Sequence, residues 1–450
     1  MTTTLSESLG RYVFETRFAA IPQSVHTAAK RLMLDTLAVA WAGSTAPGIA
    51  ELQRGVAPAT GAPESLLWAG SGRIPMLDAA FLNGAAAAAL DYDALHLEAV
   101  VHSNIVCLPA VLATAERVHA SGEEFLAALT LANEVVCRLG LATRLHSGWF
   151  YTSIHGVFGA AAGCAKLLKL DADGIRDAFG IALSQVGGTQ QSMVEKALTK
   201  RLQSALAARA GAFSALLAHS GVTAPREAFE GRFGFYNMYE TGDAKAVLAG
   251  LAERYVSAET GIKKYPSCAC NHAVIEATLG LVREHDLQPA DVVGVRANLS
   301  PYMNRLVGAA YDPRRNPQVA AQFSAQYSVA CAVVRRRLGI AEIQKEAALD
   351  PTLVEFARKV EVVVDEENHG EMAPASVEIE TRNHGTLRRR VDHLPGGPQQ
   401  PVTNIELAAK VRECMAMGTQ PLTPERIDRF TARVSTIERV KDMAGWFDDV

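Results

Sequence analysis

Apolar residues recur at helical spacing through most of the first 260 positions. Val25, Ala28, Ala29, Leu32, Met33 and Thr36 follow Pro22 at steps of three and four, which predicts an amphipathic helix with a proline near its start. Residues 79–90 are small and apolar all round, as in a buried helix, and they end in acid at Asp91. Residues 109–119 and 122–139 read as two more helices. The second carries Glu123 and Glu124 in its first turn, where the helix dipole favours acid. Residues 156–168 hold Gly156, Gly159, Ala160, Ala161, Ala162 and Gly163, small side chains that let a neighbouring helix approach closely. Residues 175–184 and 202–220 continue the series, and few segments alternate with period two.

The pattern changes after Lys263. Residues 273–285 read as a helix, but 292–297 and 359–364 read as strands, the latter with Val360, Val362 and Val364 on one face. Val377, Ile379 and Thr381 alternate with Glu378, Glu380 and Arg382. Asn383-His384-Gly385 then turns the chain into 386–391, the signature of a β-hairpin. Helices over 317–338 and 351–358 lie between the strands, giving an α+β unit of about 130 residues. Pro395-Gly396-Gly397-Pro398 marks a linker. Helical pattern resumes over 405–415 and again from Pro424, so the tail is expected to rejoin the first part. The expected organisation is mainly α: a discontinuous all-helical domain of residues 1–262 and 400–450, and a smaller α+β domain of residues 263–399. No internal repeat or heptad run interrupts this.

Length and charge narrow the function classes. A chain of 450 residues suggests two or three domains. Lys and Arg number 44 against 48 Asp and Glu, a formal net charge of −4. That balance argues against a dedicated nucleic-acid binder and against a polybasic membrane-surface protein. The first residues lack the basic and apolar regions of a secretory signal, and no stretch is long and apolar enough to span a membrane, so a cytoplasmic protein is expected. The seven cysteines are odd in number and scattered, so they read as buried free thiols. Cys268 and Cys270 have no second close pair, which argues against a zinc or iron–sulfur site, and no metal is expected. There is no P-loop, Gly187-Gly188 opens no Rossmann turn, and there is no nucleophile elbow, so no nucleotide is indicated.

Four clusters could carry chemistry. Asp91-Tyr92-Asp93-Ala94-Leu95-His96 with His102 places carboxylates and imidazoles directly after a buried helix. An Asp held near a His can orient it and raise its basicity; a solvated loop is the alternative. Lys200-Arg201 opens a helix near Gln203, a setting suited to a carboxylate or phosphate, or else an ordinary exposed pair. Lys263-Lys264-Tyr265-Pro266-Ser267-Cys268 sits at the domain junction, where clefts form and a lysine can stabilise an enolate; a surface hinge is the alternative. Tyr151 and His155, in Trp149-Phe150-Tyr151-Thr152-Ser153-Ile154-His155, are possible proton carriers or packed core residues.

Taken in order, these segments resemble the MmgE/PrpD family, which contains 2-methylcitrate dehydratase, cis-aconitate decarboxylase and iminodisuccinate epimerase. The likeness spans nearly the whole chain: residues 30–37, Leu90-Asp91-Tyr92-Asp93 with His102, residues 156–162 and 180–185, Thr199-Lys200-Arg201-Leu202, and residues 262–268. It implies a large all-helical domain built from the N-terminal portion plus the tail, a smaller α+β lid domain and a homodimer. It also implies a cofactor-independent enzyme acting on di- or tricarboxylates. By the resemblance, Asp91 and His102 match the family's acid–imidazole pair, and Lys200 and Lys263 match its cleft lysines. Asp93 and His96 are neighbours of looser role. Many members carry His where Phe150 and Gln203 stand, which moves the proton carrier elsewhere, with Tyr151 or His155 nearest.

The implied chemistry is proton transfer at a carbon next to a carboxylate, which needs a base and cations for the enolate-like charge. His102 oriented by Asp91 is the expected base, and Tyr151 or His155 the expected acid. Lys200 and Lys263 complete the catalytic group. Asp93, His96, Arg201, Gln203, Lys264 and Cys268 are the expected substrate-binding group. The reading favours a lyase resembling 2-methylcitrate dehydratase. An iminodisuccinate-type epimerase and a cis-aconitate-type decarboxylase are the alternatives, followed by a degenerate member that only binds a metabolite.

Overall fold

The computed structural model describes residues 3–56, 61–70, 72–144 and 147–447. Helices Gln23–Gly43, Met76–Ala88, Asn104–Arg117, Gly122–Leu141, Tyr151–Leu167 and Lys200–His219 pack on one another around one apolar core. Their small residues set the spacing. A Cβ on Gly159 would lie 2.5 Å from the Ala132 carbonyl oxygen, and one on Gly211 would lie 2.5 Å from that of Val157. The helix Tyr151–Leu167 is thereby pressed between two neighbours. Its first residue and the first residue of Lys200–His219 both reach the candidate site.

Two helix boundaries differ from the pattern. The helix expected from Pro109 begins at Asn104, with Pro109 inside it. The Asn104 side chain donates to the Leu32 carbonyl at 3.0 Å and to Thr36 Oγ1 at 2.8 Å, which anchors the turn ahead of the proline. The single helix expected over 317–338 is two, Pro317–Gln322 and Ala325–Val334. Ser324 breaks it, because its hydroxyl accepts the Tyr327 N–H and so caps a new helix. A short hairpin, Ser65–Leu66 with Arg73–Ile74, was not indicated by the pattern.

The later part carries a four-stranded sheet in the order Val360–Val364, Val292–Leu299, Ala375–Thr381, Gly385–Val391. The first pair is parallel and the other two are antiparallel. Val377 and Ile379 are buried while Glu378 and Glu380 face outward, the alternation expected of a half-buried strand. Gly385, at φ +65°, takes the left-handed conformation that the hairpin turn needs. The helix His272–Glu284 covers the hairpin, and Ala325–Val334 lies beside it. The chain is mainly α with a smaller α+β part.

The C-terminal helices Asn404–Met415 and Pro424–Ser435 lie against Gln23–Gly43. Lys30 pairs with Glu438 at 3.1 Å, and the buried Lys410 with Asp35 at 2.6 Å. At the junction, Leu95 and Gly261 exchange two backbone hydrogen bonds of 2.9 Å, and the Ile262 N–H donates to the Gly396 carbonyl at 3.0 Å. Three distant segments are thus tied together where Lys263 begins. Among the described residues, no helix is long and apolar enough to cross a membrane.

The helix spacing generates a prediction. Gly159→Ala should lower stability by about 1–3 kcal/mol, because the neighbour at 2.5 Å is backbone and must shift. Gly55→Ala, on an exposed helical site with nothing within 4 Å, should be neutral or stabilising. Urea unfolding of both variants checks the contrast.

Candidate active site

The helix Met76–Ala88 ends in a tight turn that places Asp91 at φ +51°. This left-handed conformation reverses the chain and is one that Asp tolerates better than most residues. The reversal buries the carboxylate between two cations. Asp91 Oδ1 accepts from Lys200 Nζ. Asp91 Oδ2 lies 3.0 Å from Lys263 Nζ, which also donates to the Asp91 carbonyl oxygen at 2.9 Å. Burial alone would raise the Asp91 pKa, but Lys200, Lys263 and His102 together hold it far below the ordinary carboxylate range. Burial would likewise discharge Lys263, yet Asp91 and Asp93 outweigh it and raise its pKa. The trio is an ionised cluster inside the protein.

His102 does not take Asp91 as its partner. Its Nδ1 stands 2.7 Å from Asp93 Oδ2 and 3.1 Å from the Ala94 carbonyl oxygen. The two lysines already use both Asp91 oxygens, so the orienting acid is Asp93, which the sequence reading had placed in the binding group. Burial raises the Asp93 pKa, and the opposing effects of His102, Lys263 and Lys200 lower it overall. Two acceptors at Nδ1 assign the proton there and leave Nε2 as the nitrogen for chemistry. The His102 N–H donates to Thr152 Oγ1 at 3.0 Å, fixing the loop to the helix Tyr151–Leu167.

Asp91, His102, Tyr151, Lys200, Lys263 and Cys268 line one cleft. Burial, with Glu240 and Glu371 nearby, pushes the Tyr151 pKa well above its usual value, so the phenol keeps its proton. A hydrogen bond from Cys270 lowers the Cys268 pKa against the effect of burial, and Lys263 adds to the pull.

The other expected site residues point elsewhere, each for a visible reason. His155 Nδ1 meets the Tyr151 carbonyl at 3.0 Å and Nε2 meets Thr143 Oγ1 at 3.0 Å, so both nitrogens are used inside the core. His96 accepts the Ala99 N–H at 3.2 Å and faces the Val256 carbonyl at 3.1 Å, and burial lowers its pKa. Arg201 donates to the Pro47 carbonyl at 2.6 Å and faces Gln318 Oε1 at 3.3 Å. Gln203 donates to Ser192 Oγ at 2.6 Å and braces the loop before Lys200. Lys264 turns to Glu276 and Glu406, at 3.3 and 3.6 Å. One step reverses a side chain's direction along a strand and swings it by about 100° along a helix, and local sequence does not say which neighbour faces in.

Sequence reasoning missed several contributors. Lys410, from the tail, donates to the carbonyls of Tyr92 at 2.7 Å and Lys263 at 2.9 Å while pairing with Asp35. It ties the backbone of the Tyr92 and Lys263 segments together. Met193, Leu306, Phe323 and Met372 supply the apolar side of the cleft. Only the motif around Asp35 gave any signal, through the family resemblance. Among the described residues, no three His, Cys, Asp or Glu side chains converge as metal ligands would.

The clamp makes two linked predictions. Asp91→Asn leaves two buried lysines uncompensated and should cost about 3–5 kcal/mol at neutral pH. A depressed carboxylate contributes stability above its unfolded pKa, near 3.9, and loses it as pH falls toward the folded value. The native protein should therefore lose stability below about pH 4 more steeply than Asp91→Asn does. Equal slopes in chemical unfolding across that range would contradict the clamp.

Comparison with known proteins identifies the family. The MmgE/PrpD N-terminal domain matches residues 7–247, and the MmgE/PrpD C-terminal domain matches residues 265–434. A cis-aconitate decarboxylase-like protein of Aspergillus oryzae is 27% identical, over 98% of this chain and 96% of its own length. A cis-aconitate decarboxylase of Aspergillus terreus is 28% identical, over 94% of this chain and 91% of its own. The human cis-aconitate decarboxylase is 24% identical, over 98% and 93%. With both domains matched in order across the cleft that joins them, the chain belongs to the MmgE/PrpD family.

Proposed function

We propose that the protein is a cofactor-independent lyase that cleaves a bond in a small carboxylic acid and moves a proton at the carbon beside a carboxylate. The observation that carries this reading is the meeting of the His102–Asp93 pair and the Asp91-bridged lysines in one cleft. Each ammonium has three donors. Lys263 directs two of them to Asp91, so one remains for a substrate carboxylate, and Lys200 adds its own. These cations stabilise the enolate-like charge that develops when the adjacent carbon gains or loses a proton. His102 Nε2 carries the proton, and Asp93 offsets the imidazolium charge.

The relatives' names favour decarboxylation. In a β,γ-unsaturated acid, the C–CO₂ bond breaks and its electron pair becomes a new double bond. The electrons of the old double bond move to the carbon beside the lysine-held carboxylate. That carbon takes a proton from His102, and CO₂ leaves. Dehydration is the second reading, and the protonated Tyr151 in the cleft favours it, because its phenol can protonate a departing hydroxyl. An epimerase would need proton carriers on both faces of the carbon; of the two expected second carriers, His155 is turned into the core and Tyr151 lines the cleft.

Proton NMR in heavy water with cis-aconitate, 2-methylcitrate, citrate, iminodisuccinate and malate-type hydroxy diacids, including 2-isobutylmalate, tests the reading. Formation of an alkene product, with or without loss of CO₂, is the expected result. Exchange of an α-proton with the skeleton intact would overturn the lyase in favour of the epimerase. On the substrate so found, His102→Gln should lower kcat by about 10²–10⁴-fold. Lys263→Met should lower kcat/KM by a comparable factor through loss of charge stabilisation. Full activity in either variant would remove that residue from the mechanism.

A further inference from the structure

The cleft has two unlike ends. At one end stand Lys200, Lys263, Asp91 and His102 with Asp93 behind it. Phe150, Met193, Leu306, Phe323 and Met372 form most of the apolar wall, and the neutral polar side chains of Tyr151, Gln190 and Tyr302 also line the cleft. The rings of Phe150 and Phe323 flank Lys200, with their centroids 5.9 and 5.5 Å from its Nζ. Among the described residues, Lys200 and Lys263 are the only lysines or arginines lining this cleft, and Asp91 offsets one of their charges. Asp93 offsets His102 when the imidazole is protonated.

Nearby cations are committed elsewhere. Arg201 and Lys264 face away, as described above. Lys196 donates to the carbonyls of Leu306 at 3.3 Å and Phe323 at 2.9 Å, behind the ring. The exposed Arg305 stacks on Tyr302, 5.2 Å from its centroid, and does not line the cleft. Around Tyr151 the near charges are Glu240 and Glu371, both acidic. A tricarboxylate would bring three negative charges to a site with about one unit of net positive charge. Its third carboxylate would meet aromatic and methionine surface with no cation to replace its water. An alkyl group on the same surface gains from burial instead.

Building on the carboxylate-binding function proposed above, we propose that the cleft selects an acid with at most two carboxylates and an apolar arm where a tricarboxylate carries its third. Phe150 is the main specificity-determining residue. Its ring stands beside the substrate-binding Lys200 and presents an apolar, uncharged face there.

Two unreactive probes with the same number of non-hydrogen atoms separate the possibilities. Tricarballylate is succinate with a carboxymethyl arm, and 2-isobutylsuccinate has an isobutyl arm in its place. Isothermal titration calorimetry on the native full-length protein should show 2-isobutylsuccinate binding at least tenfold more tightly. Phe150→His should shift the ratio toward tricarballylate by tenfold or more. Equal or tighter binding of tricarballylate to the native protein would overturn the proposal, whether or not Phe150→His folds. Lys263→Met should abolish binding of both probes, and binding that survives it would place the probes outside the cleft and overturn the proposal as well. If neither probe binds the native protein, the carboxylate site itself fails, and the proposed lyase function with it.

Discussion

The buried Asp91 carboxylate, held between Lys200 and Lys263, is the constraint on which the rest of the site depends. Two ammonium groups inside a protein are tolerable only if a counter-charge lies within bonding distance. Asp91 supplies it, and in doing so fixes the position of both lysines. The same engagement explains why His102 turns to Asp93: the Asp91 oxygens are already spent. The carboxylate also brings together three distant parts of the chain, the end of one helix, the start of another and the segment that leads into the sheet-bearing part.

Close helix packing makes that meeting possible. Gly211 lets the helix bearing Lys200 approach the backbone of the helix bearing Tyr151, and Gly159 seats the latter against the helix Gly122–Leu141. Lys410 then reaches in from the tail and holds the carbonyls of Tyr92 and Lys263. The C-terminal helix is therefore part of the candidate site's scaffold as well as a cover for the first helices. A long buried side chain suits this task, since its ammonium donates to two carbonyls and pairs with the Asp35 carboxylate.

The cationic end and the apolar wall divide two tasks. The charged end can stabilise developing negative charge, and the proton carriers stand beside it. The wall comes from both parts of the chain: Phe150 and Met193 precede the junction, whereas Leu306, Phe323 and Met372 follow it. A change of residue on the wall alters what fits without touching the charged cluster.

Fold class and family were legible in the sequence because they rest on long-range patterns that survive local errors. Helical periodicity over the first half, alternation around Val377 and Ile379, and the ordered motifs are each summed over many residues. Helix ends were less legible, since Ser324 and Asn104 act through single hydrogen bonds that compete with periodicity. The polar clusters were also visible, but the roles within each were not. Asp91 and Asp93, Lys200 and Arg201, and Lys263 and Lys264 are near neighbours of like charge. Sequence determined which kinds of group arrive at the cleft. Only the tertiary structure decided which member of each pair faces it, because that choice depends on backbone direction and on carbonyls and carboxylates contributed from distant parts of the chain.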